Sequence, residues 1–189
     1  MQIVYLSGEV SDEWFKTLLK APKHCVVIIN SSGGSTSDSR ACATQIKILE
    51  ATTVAAGSVD SAAIPVWASG KTRLAYEGTT FLWHAPYVDI AEGTSANARQ
   101  CTLWANNLSR WVTWASSILA SRSSRLSCLW RADATAEGRE FIADDFQDFG
   151  LVHQVISDLS DLPFELANPA GDVGSGEESC DEDADDLDS

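Results

Sequence analysis

The feature that most constrains the fold is a short apolar run that ends at two glycines. Residues 25–30 read Cys-Val-Val-Ile-Ile-Asn, and these β-branched residues are typical of a strand that is buried on both faces. Gly33 and Gly34 follow, and after them Cys42, Ile46 and Leu49 recur at helical spacing. The chain therefore contains a strand, a glycine turn and a helix in direct succession.

Strand-like and helix-like segments continue to alternate on either side of this unit. The spacing of apolar residues predicts strands at 1–6, 52–56, 71–76, 79–84 and 152–156, and helices at 14–20, 61–68 and 126–131. Alternation of this kind predicts an α/β fold with a largely parallel sheet.

The clearest helix is predicted over residues 95–119. Its apolar residues recur at i, i+3, i+4 and i+7, and they include Cys101, Trp104, Trp111 and Leu119. Two interpretations are open, because this stripe can pack on the core of its own chain or against a neighbouring subunit. Cys25, Cys42 and Cys101 are expected to be core residues.

Composition divides the chain into two parts. The 189 residues are 44% apolar, which suits one domain with a sizeable core. Nine of the 27 acidic residues follow residue 171, with no Lys or Arg among them, and they account for much of the net charge of −14. We expect a folded domain over residues 1–165 and an acidic, disordered tail over residues 166–189. No basic patch indicates nucleic-acid binding.

Cysteine spacing and apolar runs exclude several other classes. The five cysteines include no Cys-x-x-Cys pair, so neither a disulfide framework nor a zinc site is indicated, and we expect no metal and no cofactor. No apolar run reaches about 18 residues and no secretory signal is present, so we expect a cytoplasmic protein without a membrane partner.

Three short blocks carry the chemistry of the chain. Ser61 lies among small residues in the stretch 55–63, where a sharp turn would expose its hydroxyl and point the next N–H at an oxyanion. His84 ends an apolar run, and the N–H groups at Gly33 and Gly34 form a natural anion cradle before a helix. Taken singly, each is explained by a buried serine, a structural histidine or a tight turn; their order favours a site.

In this order the blocks resemble the ClpP family, the proteolytic subunits of the Clp protease. The resemblance rests on residues 30–34 (Asn-Ser-Ser-Gly-Gly), 57–63 (Gly-Ser-Val-Asp-Ser-Ala-Ala), 83–86 (Trp-His-Ala-Pro) and a closing block at 138–152 that ends in Gly-Leu-Val. It covers residues 1–160. It implies a ClpP/crotonase-like repeated β-β-α spiral, in which the helix at 95–119 forms a protruding handle where rings of subunits meet.

The same resemblance implies the activity of a serine endopeptidase. Ser61 would be the nucleophile, His84 the general base, and the N–H groups of Gly34 and Ala62 the oxyanion hole. His24 and His153 are the competing histidines, but neither lies in a comparable block.

The third catalytic member is where this chain departs from the family. The family's orienting acid falls on Gly138, which has no side chain, and Glu137 is the candidate one residue earlier. Asp133 and Glu140 are close in sequence, and a Ser–His dyad is the other alternative. A further departure is Asp60, directly before Ser61, which is expected either to face solvent or to lie near the catalytic histidine.

The resemblance also implies partners. A polypeptide substrate is expected, with a homo-oligomeric ring or a hetero-oligomer of related subunits, and with an AAA+ ATPase as unfolding partner. A stand-alone phage prohead protease is a variant of this hypothesis. The alternatives are a non-catalytic ClpP-like subunit with an assembly or regulatory role, and a crotonase-type acyl-CoA enzyme that uses oxyanion amides without a Ser–His pair.

Overall fold

The structure, a computed structural model, describes residues 2–88, 95–135 and 137–161. The predicted tail at 166–189 and the predicted domain boundary at 165 lie outside the described residues. The strands are β1 (Ile3–Ser7), β2 (Val26–Ser31), β3 (Thr52–Val59), β4 (Thr72–Tyr76), β5 (Thr80–Trp83), β6 (Arg139–Ile142) and β7 (Gln154–Ile156). The helices are α1 (Asp12–Leu19), α2 (Thr36–Leu49), α3 (Ala63–Ala68), α4 (Ala98–Ser121), α5 (Ser127–Asp133) and α6 (Ala143–Asp148). A short 3-10 turn, Leu159–Asp161, follows β7.

Five strands form a parallel sheet in the order β1-β2-β3-β4-β7. Beyond the central part of the sheet, β5 pairs in parallel with the end of β3 and antiparallel with β6. This confirms the predicted α/β class with a largely parallel sheet. The carboxyl end of β2 leads into the glycine turn, and that of β3 leads into Ser61. The topology therefore brings the glycine turn and Ser61 to the same edge of the sheet.

A cluster of aromatic side chains holds the strand that leads to His84. Trp83, at the end of β5, is fully buried and stacks on Trp111 of α4 with ring centroids 5.7 Å apart. Its indole N–H donates to the Trp130 carbonyl at 2.7 Å, which ties β5 to α5. Behind it, Phe81 and Phe146 stack at 4.3 Å. The backbone at His84 is therefore positioned by buried neighbours on two helices.

Helix α4 has a well-defined start and two unlike halves. Asn97 and Gln100 form a reciprocal capping box with hydrogen bonds of 2.9 and 3.0 Å. The second half buries its apolar stripe, which includes Trp111 and Leu119, whereas Leu103 in the first half is 57% exposed. The predicted stripe is continuous in sequence, but only its second half lies over the core of this chain.

The cysteines follow the same division. Cys25 and Cys42 are buried, as predicted, and burial raises the pKa of the Cys42 thiol to about 12. The prediction that Cys101 is a core residue is wrong, because it lies on the exposed first half of α4.

Candidate active site

Ser61 occupies a sharp turn between β3 and α3. Its φ of +50° is in the left-handed region, which costs a residue with a Cβ roughly 1 kcal/mol or more, so the surrounding contacts must enforce it. The Ser61 N–H donates to the Leu82 carbonyl at 2.8 Å, and the Asp60 N–H donates to the Ser31 carbonyl at 2.8 Å. These two bonds hold the turn between β5 and the end of β2.

Asp60 fastens this turn to β5 through its side chain. One carboxylate oxygen accepts from the Leu82 N–H at 2.8 Å, and the other accepts from the Ser58 hydroxyl at 2.5 Å. The half-buried Asp60 therefore neither faces open solvent nor hydrogen-bonds to His84. The Asp60 carboxylate therefore stabilises the turn. Its position directly before the serine is the sequence signal that could have indicated this role.

A second stabilising contact comes from α2 and was missed by the sequence reasoning. The Ser39 side chain is fully buried, and its hydroxyl donates to the Ala62 carbonyl at 2.6 Å. The bond fixes the peptide between Ala62 and Ala63, one residue after Ser61, against the helix that follows the glycine turn. One serine among several in that helix gives no sequence signal of such a contact.

The glycine turn approaches Ser61 more closely than any side chain would allow. A Cβ on Gly33, whose φ is +101°, would lie 2.7 Å from the Ser61 Cβ. A Cβ on Gly34, whose φ is +141°, would lie 2.7 Å from the Val10 carbonyl oxygen. Both positions need glycine, for its conformational freedom and for its lack of a side chain.

The Val10 backbone orients the peptide of Gly34. The Val10 N–H donates to the Gly33 carbonyl at 2.8 Å, and the Val10 carbonyl accepts from the Ser35 N–H at 2.9 Å. In a parallel bridge of this kind the residue between the two bonds directs its own N–H to the opposite side. In the part of the chain that the structure describes, neither the Gly34 N–H nor the Ala62 N–H has a hydrogen-bond partner.

Ser61, His84 and Gly34 line one cleft of about 470 Å³. Its walls also include Glu9 near the glycine turn and Leu108 of α4. Among the described residues, no hydrogen bond joins the Ser61 hydroxyl to the His84 ring. The structure thus brings the nucleophile and base candidates into the same cleft, beside one of the two candidate oxyanion donors.

The His84 ring is oriented by a backbone carbonyl. Its Nδ1 lies 2.8 Å from the Ala85 oxygen, and the ring stacks on Tyr87 with centroids 6.0 Å apart. A carbonyl oxygen can only accept, so this contact favours the tautomer with the proton on Nδ1. That tautomer leaves Nε2 as a proton acceptor, which is the state that a general base requires.

Of the acid candidates, none hydrogen-bonds to His84 in the described part of the chain. Glu137 and Glu140 are exposed, and Asp133 pairs with Arg125 and with Arg139. Gly138 itself packs against the histidine, since a Cβ there would lie 2.8 Å from the His84 Cβ. The backbone of this segment is therefore next to His84, although its carboxylates point elsewhere.

The competing histidines lie outside the cleft that holds Ser61. His24 is exposed in the turn before β2. His153 has both ring nitrogens against Arg73, at 2.9 Å from its backbone N–H and 3.1 Å from its guanidinium. Desolvation by burial, and then the charge of Arg73, lower the pKa of His153.

The fold and this cleft define a class of α/β proteins with a serine turn, a histidine after a strand and a glycine cradle. Comparison with known proteins agrees with that class. The model of the Clp protease family matches residues 3–158, and the chain belongs to this family.

Solved structures include a similar fold at low identity. A point mutant of ClpP1 from Listeria monocytogenes superposes with a TM-score of 0.70 at 18% identity, covering 84% of this chain and 93% of that one. No curated protein matches the sequence.

Two other features are absent from the part of the chain that the structure describes. Over residues 2–88, 95–135 and 137–161, no group of three His, Cys, Asp or Glu side chains could hold a metal ion. None of the helices described in those ranges has the length and apolar character needed to cross a membrane.

Proposed function

We propose that this chain is a serine endopeptidase of the ClpP type, with Ser61 as nucleophile and His84 as general base. The observation that carries the proposal is the backbone of Ser61, which is held at φ +50° in a cleft that it shares with His84. Strained serine turns of this kind present a hydroxyl to a substrate carbonyl in unrelated hydrolases.

In the proposed mechanism, His84 Nε2 takes the hydroxyl proton as the Ser61 oxygen attacks the peptide carbonyl. The N–H groups of Gly34 and Ala62 would then stabilise the oxyanion, and one such donor is typically worth about 3 kcal/mol of activation free energy. The histidine gives its proton to the leaving amine, and water hydrolyses the acyl-enzyme in the reverse sequence of proton transfers.

The Ala85 carbonyl supports a Ser–His dyad as the working form of the site. An orienting carboxylate has two roles, to fix the tautomer of the histidine and to stabilise the imidazolium that forms. A carbonyl dipole at 2.8 Å can perform the first role, but it supplies the second only weakly because it carries no full charge. Glu137 stays the sequence-based prediction for a third member.

Assembly into an oligomer is the second part of the proposal. The exposed first half of α4 carries the apolar Leu103 and the half-buried Trp104 and Leu108, and tryptophan is among the residue types enriched in subunit interfaces. The substrate would be a polypeptide, and an AAA+ ATPase remains the unfolding partner that membership of the family suggests. We also expect a cytoplasmic location.

A fluorophosphonate probe tests the activity, with the modified residue mapped by mass spectrometry. We expect an adduct on Ser61 in the wild-type chain and none in Ser61→Ala or His84→Ala. Ser32→Ala is the matched control, because Ser32 lines the same cleft and its loss should leave labelling intact.

The same experiment separates the alternative functions. No adduct on a folded, assembled wild-type chain would contradict the proposal and favour a non-catalytic subunit. The absence of a described carboxylate bonded to His84 is the observation that keeps this second candidate open. An acyl-CoA activity unaffected by Ser61→Ala would favour the crotonase-type enzyme instead.

A further inference from the structure

A second open pocket, of about 550 Å³, lies where α4 ends. Four basic residues line it: Lys71 directly before β4, Arg73 in β4, Arg122 directly after α4, and His153 directly before β7. It shares no lining residue with the cleft that contains Ser61. We call it the basic pocket.

Arg73 is the most buried of these residues, with an exposed fraction of 4%. Its guanidinium donates to the Leu151 carbonyl at 2.7 Å and to the Gly70 carbonyl at 3.2 Å. Burial, and then the charge of Arg122, lower its pKa to about 10. Carbonyl dipoles satisfy its hydrogen bonds, but a buried cation is usually also paired with an anion.

No described carboxylate supplies that anion. Asp148 lines the pocket without a hydrogen bond to Arg73 or Arg122, and Glu50, beside the pocket's Lys71, pairs with that lysine at 2.9 Å. Arg122 is favoured in part by the negative end of α4. The described residues nevertheless leave an excess of positive charge there, although the chain as a whole has a net charge of −14.

The sequence itself contains a matching anion. Residues 172–188 carry nine carboxylates and no Lys or Arg. The described chain ends at Asp161, and the 11 residues from there to Asp172 can span up to about 36 Å when extended. The pocket is close to this point along the chain, since only β7 and the 3-10 turn separate His153 from Asp161.

We propose that the basic pocket binds carboxylates of the chain's own acidic segment, residues 172–188. Covalent connection places these carboxylates at an effective concentration of the order of millimolar, so even a weak ionic contact is occupied. Such a contact is screened by salt, because the Debye length falls from about 10 Å at 0.1 M to about 3 Å at 1 M ionic strength.

Zero-length cross-linking with a carbodiimide tests this on the full chain, because the reagent couples Lys71 only to a carboxylate in direct contact. Coupling of Lys71 to Glu50 is the internal control, since the structure places these groups 2.9 Å apart. We expect Lys71 also to couple to residues 172–188, at least about fivefold more than the exposed Lys20 and Lys23 do. Glu50→Gln frees Lys71 and should increase this product.

Two further conditions decide the result. Arg122→Gln and 1 M NaCl should each remove the product between Lys71 and the acidic segment, and Lys20→Gln should leave it unchanged. Equal coupling of the segment to all three lysines would overturn the proposal. So would its absence where the Lys71–Glu50 product forms, or its persistence in Arg122→Gln and in 1 M NaCl.

Discussion

Gly33 sets the separation of the two loops that meet at Ser61. Its missing side chain lets the glycine turn lie against the serine, and the Gly34 N–H can then reach the cleft in which the serine hydroxyl lies. The proposed oxyanion hole therefore depends on a contact between backbones, which tolerates very little displacement.

Gly33→Ala should abolish labelling of Ser61. It should also lower the stability of the fold by more than backbone strain alone would lower it. The new methyl would overlap the Ser61 Cβ at 2.7 Å, in addition to a strain of roughly 1–2 kcal/mol at a positive φ. Labelling rate and thermal melting measure the two effects. Gly8→Ala is the control, since Gly8 has a φ of +75° with nothing within 4 Å, and it should lose stability without losing labelling.

Glu137→Gln should lower the labelling rate of Ser61 less than about threefold, whereas loss of a true orienting acid costs about 10⁴ in turnover. The reason is that Glu137 is exposed and forms no described hydrogen bond to His84. Glu140→Gln, at another exposed carboxylate of the same segment, provides the comparison. A fall of two or more orders of magnitude in Glu137→Gln alone would establish Glu137 as the third member.

At the scale of elements, α4 is divided between two environments. Its second half belongs to the core, where Trp111 supports Trp83 and so the strand before His84. Its first half exposes apolar side chains and Cys101 to solvent in the single chain. In the proposed oligomer, such a helix would couple assembly to the cleft that contains Ser61, because Leu108, at the end of the exposed first half, lines that cleft.

Leu103→Asp should lower the mass of the assembly measured by light scattering, since burying a leucine is worth about 1.5–3 kcal/mol and burying a carboxylate is unfavourable. Leu19→Asp is a matched control, because Leu19 on α1 is also 57% exposed. A mass that is unchanged in Leu103→Asp, or that falls equally in both variants, would contradict an interface on α4.

At the scale of the whole molecule, Arg73 and His153 attach the segment before β7 to strand β4. Arg73 of β4 donates to the Leu151 carbonyl, and His153 accepts from the Arg73 backbone N–H, so the pair attaches the segment before β7 to the sheet. Burial of the ring, and then the positive charge of Arg73 beside it, disfavour protonated His153, so the folded state favours the neutral ring.

This arrangement makes stability depend on pH. The pKa of His153 is lowered by folding, so the unfolded chain binds the extra proton more readily, and stability is lost as the pH falls below the unfolded value of 6.5. We expect the melting temperature to fall more steeply between pH 8 and pH 5 in the wild-type chain than in His153→Gln. Both chains are measured at about 0.5 M salt, which screens the charges of the acidic segment and so reduces their contribution to the pH dependence. Equal slopes would contradict the prediction.

Much of the fold was accessible from local pattern. The apolar run before Gly33 and the alternation that follows it predicted the parallel sheet, because residues that must be buried on both faces leave few other arrangements. Tight turns need particular residues at particular positions, so the motifs around Ser61 and His84 can be recognised in the sequence. Their order along the chain then pointed to a shared site.

The contacts that brace the cleft were not accessible in this way. Asp60 binds Leu82, and Ser39 binds Ala62, across 22 and 23 positions of sequence. Asp60 could have been solvated or buried beside His84, and Ser39 is one hydroxyl among many. The prediction for Cys101 was wrong because periodicity shows which residues share a helical face but not whether that face meets a core.

The sequence by itself determined the class of fold and the family, and it marked Ser61 and His84 as candidates for one site, because these depend on residue type and spacing along the chain. Only the tertiary structure decided that a carbonyl of Ala85, and no described carboxylate, faces the histidine ring. It also decided that α4 is half exposed and that basic side chains from β4, from the residue after α4 and from the segment before β7 share one pocket. These features depend on distances between segments remote in sequence, which are set by packing rather than by local pattern.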